Sequence, residues 1–397
     1  MQTQELSTYS RIIDEIAMQI DITEEMYTKA EKKYNELGHY LEQSLKYPLS
    51  IYPQGSFMLG TVIKPYRNGK DADYDIDLVC EFSSKSETSI LPEKLKKDVG
   101  YVLQNNDEYQ PFLDKEGRRC WTLNFAGFHM DCLPCVPFTS YDKKISLTHT
   151  DDFKNYEWKR SNPKEFGEWF KLRQAVIYKE IETAQKQKIY EGNQRVYDSI
   201  DAVPDRRVKT PLQKAIQILK RHRDVYFANK INEKYKPISM VITVLAAALY
   251  EQEADSYFAL KNIIEEMGRY EEVFKSSIHR SSAKNEKLIT FDGNKWRISN
   301  PVAQEENFAE RWHEDNHARA KAFFEWTSDL KHNFLQELES QDLKVIQKCL
   351  EQRLCWSIGE EKLISLGVSN NTGSYSESLP PIREVVITNP IKPYLQY

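Results

Sequence analysis

Two short runs decide how the chain is read: Gln54-Gly55-Ser56-Phe57-Met58-Leu59-Gly60-Thr61 and, after a polar connection, Asp73-Tyr74-Asp75-Ile76-Asp77-Leu78-Val79. In the second run Tyr74, Ile76 and Leu78 alternate with Asp73, Asp75 and Asp77, which predicts a half-buried strand. Side chains on a strand repeat every two residues, so Asp75 and Asp77 share a face. Two adjacent carboxylates repel unless a cation lies between them. Mg²⁺ suits that position, because it takes hard oxygen ligands and prefers one or two carboxylates plus substrate phosphates. The Gly55-Ser56 turn offers backbone N–H groups and a hydroxyl that can close on a phosphate. A phosphate-cradling turn before a paired-Asp strand is a layout for metal-assisted phosphoryl or nucleotidyl transfer.

An acidic pair at i, i+2 is more often a solvated strand face, so a third acid matters. Asp131 stands between Met130 and Cys132 in His129-Met130-Asp131-Cys132-Leu133-Pro134. Alone, such an acid is more often satisfied by backbone or arginine, since a buried unpaired carboxylate is costly. With Asp75 and Asp77 it completes the carboxylate set of a two-metal site, in which one metal activates an attacking hydroxyl and the other steadies the leaving group. Next to that hydroxyl, Asp131 is also a candidate general base.

The 397 residues suffice for two domains, and 40% hydrophobic with 29% charged residues is ordinary for a soluble globular protein. A net charge of −5 argues against coating long nucleic acid but leaves room for a basic pocket that takes small nucleotides. The six cysteines are scattered and no secretory leader precedes them, which predicts reduced thiols in a cytoplasm. The longest apolar stretch, Ile238 to Tyr250, is too short to span a bilayer.

Helical periodicity runs from about residue 5 to 46, with a capping signal at Asp21-Ile22-Thr23-Glu24 that divides or bends it. Tyr47 to Pro53 reads as an extended link, Pro92 to Leu103 as a helix and Arg118 to Phe125 as a strand. Thr210 and Pro211 are an N-cap and first residue for a helix reaching Phe227. Most of its basic run Lys220-Arg221-His222-Arg223 is expected on a solvated face. Ser239 opens a helix that is apolar almost all round, with a hydroxyl able to satisfy a free first-turn N–H. Further helices are expected over 256–275 and 304–354, with a hairpin around Asp292-Gly293-Asn294 between them. Helical periodicity fades from Glu360, Asn370 to Pro381 reads as a loop, and Pro390 to Tyr397 as an extended tail.

Two motifs are decoys. His313-Glu314-Asp315-Asn316-His317 fits a zinc-protease pattern but lies in a strongly polar run and reads as a solvated helix face. Cys132-Leu133-Pro134-Cys135 lacks a second pair and reads as packing.

Taken together, Gly55-Ser56, Asp75-x-Asp77 and a downstream Asp131 resemble the polymerase-β-type nucleotidyltransferase superfamily. Gln54-Gly55-Ser56-Phe57 with Gly60-Thr61, the run Asp73 to Val79, Ser161-Asn162-Pro163, Thr210-Pro211-Leu212-Gln213, Ile218-Leu219-Lys220 and Lys236-Pro237-Ile238-Ser239 narrow the resemblance to the bacterial CD-NTases, relatives of cyclic GMP-AMP synthase in CBASS antiphage defence. The resemblance covers about Tyr52 to Leu249. It implies an α+β fold: a polymerase-β-like core of mixed sheet and helices against a helical C-terminal lobe, with the active site in the cleft. The expected division is 1–207 for the core with a long N-terminal brace helix, 208–365 for the helical domain and 366–397 for a tail.

The resemblance also implies the chemistry. Asp75, Asp77 and Asp131 hold two Mg²⁺, with Mn²⁺ able to substitute, while Gln54, Gly55, Ser56, Lys220 and Ser239 hold the donor triphosphate. Nucleoside triphosphates, ATP among them, become a cyclic di- or trinucleotide that activates a separate effector, and a CBASS partner acts on the C-terminal tail. The rival readings are a transferase that modifies tRNA or protein, and a non-catalytic nucleotide sensor.

Overall fold

The acidic strand is the second strand of a seven-stranded mixed sheet. The computed structural model describes residues 7–45, 47–139, 143–175, 209–228, 230–271 and 287–368. The strands are β1 (Ser50–Gln54), the short β2 (Tyr66–Arg67) and β3 (Lys70–Asp71), β4 (Tyr74–Glu81), β5 (Leu113–Glu116), β6 (Trp121–Phe125), β7 (Phe128–Pro137), β8 (Ile145–His149) and β9 (Glu157–Ser161). The sheet runs β1-β4-β7-β6-β5, with β8 pairing β7 and β9 pairing β8, while β2 and β3 form a separate ribbon. Only the β4–β7 pairing in this sheet is parallel. The stretch before Gly55, expected as a link, is therefore an edge strand that lays Gln54 opposite Asp77.

Among the described residues, six helices precede the C-terminal region: α1 (Thr8–Ile20), α2 (Glu24–Ser44), α3 (Gly55–Leu59), α4 (Pro92–Gln104), α5 (Pro163–Arg173) and α6 (Pro211–Phe227). The N-terminal periodicity divides into two helices, because Thr23 accepts the Met26 N–H and caps the second. Ile12, Ile13 and Ile16 of α1 pack in one core with Leu212, Leu219, Val244 and Leu260. Tyr34, Leu37 and Leu41 of α2 pack instead with Ile76, Leu78 and Met130 beneath the sheet. The N-terminal helices thus serve both cores.

Helix α6 carries the capping box that Thr210 and Gln213 complete. Its basic run departs from expectation: Lys220, Arg221, His222 and Arg223 are all buried. Each has found partners that make burial tolerable. Arg221 donates to the carbonyls of Leu354 and Lys64 and to Asp71. His222 accepts from the Trp326 indole, and burial drives its pKa down to about 3, so it is neutral.

Helices α7 (Ser239–Leu249) and α8 (Ser256–Arg269) follow, the former buried as its composition requires. The hairpin forms between β10 (Thr290–Phe291) and β11 (Trp296–Arg297), and β12 (Ser299–Asn300) pairs β13 (Ala303–Asn307). The strand β13 replaces the start of the helix expected from 304, which begins only at Glu314. Glu360–Ser365 forms a short helix where periodicity had faded. The expected loop over 370–381 and the tail over 390–397 lie outside the described residues.

Both decoys are disposed of. Asp315, Asn316 and His317 have φ of 50°, 56° and 60°, so the two histidines do not share a regular helical face. His317 is not simply solvated, since its Nδ1 accepts from the Trp296 indole at 3.2 Å. Cys132 and Cys135 are fully buried in β7.

Candidate active site

The parallel pairing of β4 with β7 sets Asp77 directly beside Asp131, with Asp75 two residues along the same strand face. The apolar alternates Tyr74, Ile76 and Leu78 are buried on the opposite face, which fixes the register. Behind Asp131 stands Thr122 of β6, whose hydroxyl donates to Asp131 Oδ1 at 2.5 Å. Arg67 of the β2–β3 ribbon approaches the exposed Asp75 at 3.7 Å.

Gly55 and Ser56 open α3, so the phosphate-binding turn expected there is one turn of helix. Gly55 has φ +63°, and a Cβ at that position would overlap Asp77 Oδ2. Three side chains of α6 then hold the segment after α3. Gln213 Nε2 donates to Leu59 O at 2.9 Å, Gln217 Nε2 to Val62 O at 2.6 Å, and Lys220 Nζ to Thr61 O at 3.0 Å and Thr61 Oγ1 at 3.1 Å.

Ser239 occupies the first turn of α7, but its hydroxyl caps no N–H there. It accepts from Arg223 Nη1 at 3.0 Å, and the same guanidinium donates to Pro237 O and to Asp224 Oδ1. Lys236 also donates to Asp224 at 3.3 Å. Burial alone would raise the Asp224 pKa, but Arg223 and Lys236 outweigh it and hold the carboxyl below its usual value.

The structure brings seven of the eight expected residues, all but Asp131, to two adjoining cavities. One, of about 290 Å³, is lined by Ser56, Asp75, Lys220, Arg223, Lys236 and Ser239. The other, of about 560 Å³, is lined by Gln54, Gly55, Asp77, Arg119, Trp158 and Glu306 among others. Ile238 borders both. Asp131 reaches the site through its neighbour Asp77.

The electrostatics are unbalanced. Burial first, then Asp131 and Asp75, push the Asp77 pKa up to about 7, with only Lys220 opposing. Partial desolvation by the surrounding residues also raises that of Asp75, although its side chain keeps access to solvent, with Arg67 reducing the rise and Asp131 adding to it. Burial and the nearby Arg223 bring Lys220 down to about 7. A cluster of acids whose repulsion the surrounding residues leave uncompensated fits a divalent cation in kind and number of donors. Among the described residues, the group whose ligand atoms lie within 4.8 Å of one another is His149, Asp151 and Glu157 on the β8–β9 hairpin, a spacing that Asp75, Asp77 and Asp131 do not meet. The hairpin acids already pair with Arg118 at 3.3 Å and Lys159 at 2.9 Å.

Sequence reasoning missed Thr122 and Arg67, and quoted Thr61 in a motif without assigning its contact to Lys220; each touches an expected site residue only through strand register or loop closure. Arg223 was visible inside the basic run but was assigned to solvent. No helix among the described residues is long and apolar enough to cross a membrane.

Residues 8–173 match the Second Messenger Oligonucleotide or Dinucleotide Synthetase domain. The chain is 29% identical over 293 residues to a c-di-GMP synthase of Roseivirga ehrenbergii, spanning 73% of this chain and 68% of that relative. It is 26% identical over 234 residues to the cyclic dinucleotide synthase CdnG of Bradyrhizobium diazoefficiens, spanning 55% of this chain and 54% of that protein. The solved structure of the Bradyrhizobium diazoefficiens CD-NTase CdnG in complex with GTP matches with a TM-score of 0.62 at 20% identity, covering 91% of this chain and 98% of that one. At that identity the structural likeness is one of fold. Domain match and sequence relatives point the same way: residues 8–173 match a synthetase domain for second-messenger nucleotides, and the chain is similar to cyclic dinucleotide synthases.

Proposed function

We propose that this chain is a CD-NTase that condenses nucleoside triphosphates, ATP among its candidate substrates, into a cyclic di- or trinucleotide. A ribose hydroxyl attacks an α-phosphorus, pyrophosphate leaves, and a second such step closes the ring. The observation that carries the reading is the pair of cavities meeting at β4, one bordered by Asp75 and the other by Asp77. A synthase must hold two nucleotides against one set of acids, and the two cavities supply that arrangement.

The donor triphosphate lies in the smaller cavity. Ser56 and Ser239 offer hydroxyls, and Lys220 offers an ammonium, to its oxygens. The start of α7 adds its unsatisfied N–H groups, which favour anions. A polyanion beside Lys220 restores the proton that burial weakens. Gln54 and Gly55 keep the backbone close to Asp77, and the missing Cβ leaves room for its carboxylate. Asp75, Asp77 and Asp131 would hold two Mg²⁺, or Mn²⁺ in their stead; when bound, these cations neutralise phosphate charge and acidify the attacking hydroxyl. Asp131 accepts the proton of that hydroxyl, and the Thr122 bond to Oδ1 orients the carboxylate for it.

The test is incubation of the chain with labelled ATP, GTP, CTP and UTP, singly and mixed, with Mg²⁺ or Mn²⁺, followed by phosphatase. A small phosphatase-resistant product, lost when Asp75 and Asp77 are both changed to Ala, supports the reading. Label on added tRNA or protein instead would favour the macromolecule-modifying rival. A doubly substituted Asp75→Ala, Asp77→Ala chain that kept full biological activity would favour the sensor. By kinship, the product acts on a separate effector in antiphage defence, and a CBASS partner acts on the C-terminal tail. Protection against phage that survives Asp77→Ala would remove this role.

A further inference from the structure

The larger cavity holds more charge than its walls use. Arg160 is committed to Glu87 and donates to Ser146 Oγ at 2.7 Å. Lys159 pairs with Glu157 at 2.9 Å, and Glu305 with Lys144 at 3.2 Å. Arg119, by contrast, makes no hydrogen bond or ion pair among the described residues. In the same cavity, Glu306 Oε2 accepts from Asn300 Nδ2 at 2.8 Å, while Oε1 has no partner among the described residues. Asn300 is itself 3% exposed, and its Oδ1 accepts the Val302 N–H at 3.0 Å, so it fixes the Glu306 carboxylate in one orientation. Arg119 and Glu306 line the same cavity, and burial raises the Glu306 pKa while the Asn300 hydrogen bond and the charge of Arg119 lower it.

A fixed carboxylate accepts only, and a guanidinium donates only. Guanine carries two adjacent donors, N1–H and N2–H, and two adjacent acceptors, O6 and N7. Adenine sets the N1 lone pair beside its amino group, and cytosine sets N3 beside its own, so each meets a carboxylate with one donor and one repelling lone pair. Uracil offers a single N–H between two carbonyls. Of the four bases, guanine alone matches an acceptor-only wall and a donor-only wall at once, and arginine with O6 and N7 is a favoured pairing.

We propose that the larger cavity reads guanine in the acceptor nucleotide, Glu306 accepting from N1–H and N2–H and Arg119 donating to O6 and N7. This rests on the nucleotidyl-transfer reading above. Asn300 is a positioning residue for Glu306.

The chain is titrated by calorimetry with GMP, IMP and AMP. IMP lacks only the N2 amino group, so GMP binds at least about ten-fold more tightly, as a site built to hydrogen-bond a missing group requires. Glu306→Gln keeps the shape, removes one acceptor oxygen and abolishes the preference for GMP over IMP. Arg119→Met weakens GMP and IMP alike and leaves AMP unchanged. Equal affinity for GMP and IMP, a preference that survives Glu306→Gln, or no GMP binding at millimolar concentration overturns the proposal. An Arg119→Met loss shared equally by AMP would make Arg119 a phosphate contact and overturn its part. Pyrophosphate release from the four triphosphates is measured in parallel. Its absence with GMP selectivity intact removes the reaction and leaves the base assignment, whereas product made without GTP removes the base assignment and leaves the reaction.

Discussion

Gly55 lies so close to Asp77 that a Cβ on the glycine would overlap Asp77 Oδ2. The pairing of Gln54 with Asp77 across β1 and β4 enforces this closeness. The glycine also has φ +63°, a left-handed conformation that costs an L-residue roughly 1–2 kcal/mol. Gly55→Ala therefore strains the turn and pushes the carboxylate aside together. Since displacement of a reacting group by about 1 Å can cost about a hundred-fold, nucleotide turnover is expected to fall by about that factor. Thermal melting should fall by only a few degrees, as expected for a cost of about 1–2 kcal/mol. Wild-type turnover in the alanine variant would contradict the arrangement.

Asp77 and Lys220 both titrate near 7, from opposite directions. Between pH 3.8 and about 7 the folded chain keeps a proton on Asp77 that the unfolded chain has lost, so stability falls as pH rises. Between about 7 and 10.5 the unfolded chain keeps a proton on Lys220 that the folded chain has lost, so this contribution makes stability rise with pH. These two groups together put a minimum near pH 7 in the metal-free protein. Melting temperatures from pH 5 to 9 should reveal the dip, with Asp77→Asn flattening its acid limb and Lys220→Met its alkaline limb. Mg²⁺ must displace the Asp77 proton, so its affinity should climb through pH 7. A pH-independent Mg²⁺ affinity would argue against Asp77 as a ligand.

The acidic strand was legible because alternation with buried Tyr74, Ile76 and Leu78 leaves one face for Asp75 and Asp77. The helix after Thr210 was legible for an equally local reason, a cap followed by proline. Burial of Lys220, Arg221, His222 and Arg223 was not, because it depends on carbonyls of Thr61, Lys64, Pro237 and Leu354, three of which lie far along the chain. Local charge density says solvent, whereas the fold supplies acceptors from both cores. Thr122 was hidden for a similar reason, since its role exists only once β6 and β7 are in register.

Thr122 donates to Asp131 Oδ1 at 2.5 Å, so it orients the carboxylate. Thr122→Val keeps the shape and removes the donor. Turnover is expected to drop roughly ten-fold, consistent with loss of a hydrogen bond to a charged group worth about 1.5–3 kcal/mol. KM for the triphosphates should change little, because Thr122 lines neither cavity. Thr122→Ser should recover most of the rate. A rise in KM with unchanged kcat would move Thr122 from orienting the base to binding substrate.

Arg223 ties Asp224, the carbonyl of Pro237 and the hydroxyl of Ser239 into one buried unit, with the arginine 7% and the aspartate 3% exposed. Removing the guanidinium strands most of a buried carboxylate, a change that costs roughly 3–5 kcal/mol in comparable pairs. Lys236 still donates to Asp224 at 3.3 Å, so Arg223→Met should fall at the lower end of that range in urea unfolding. Adding Asp224→Leu removes the stranded charge, and the double variant should regain much of the lost stability. Its triphosphate affinity should stay low, because Ser239 and the start of α7 remain without the arginine that holds them. If the double variant regained affinity along with stability, Arg223 would be a structural prop and not part of the donor site.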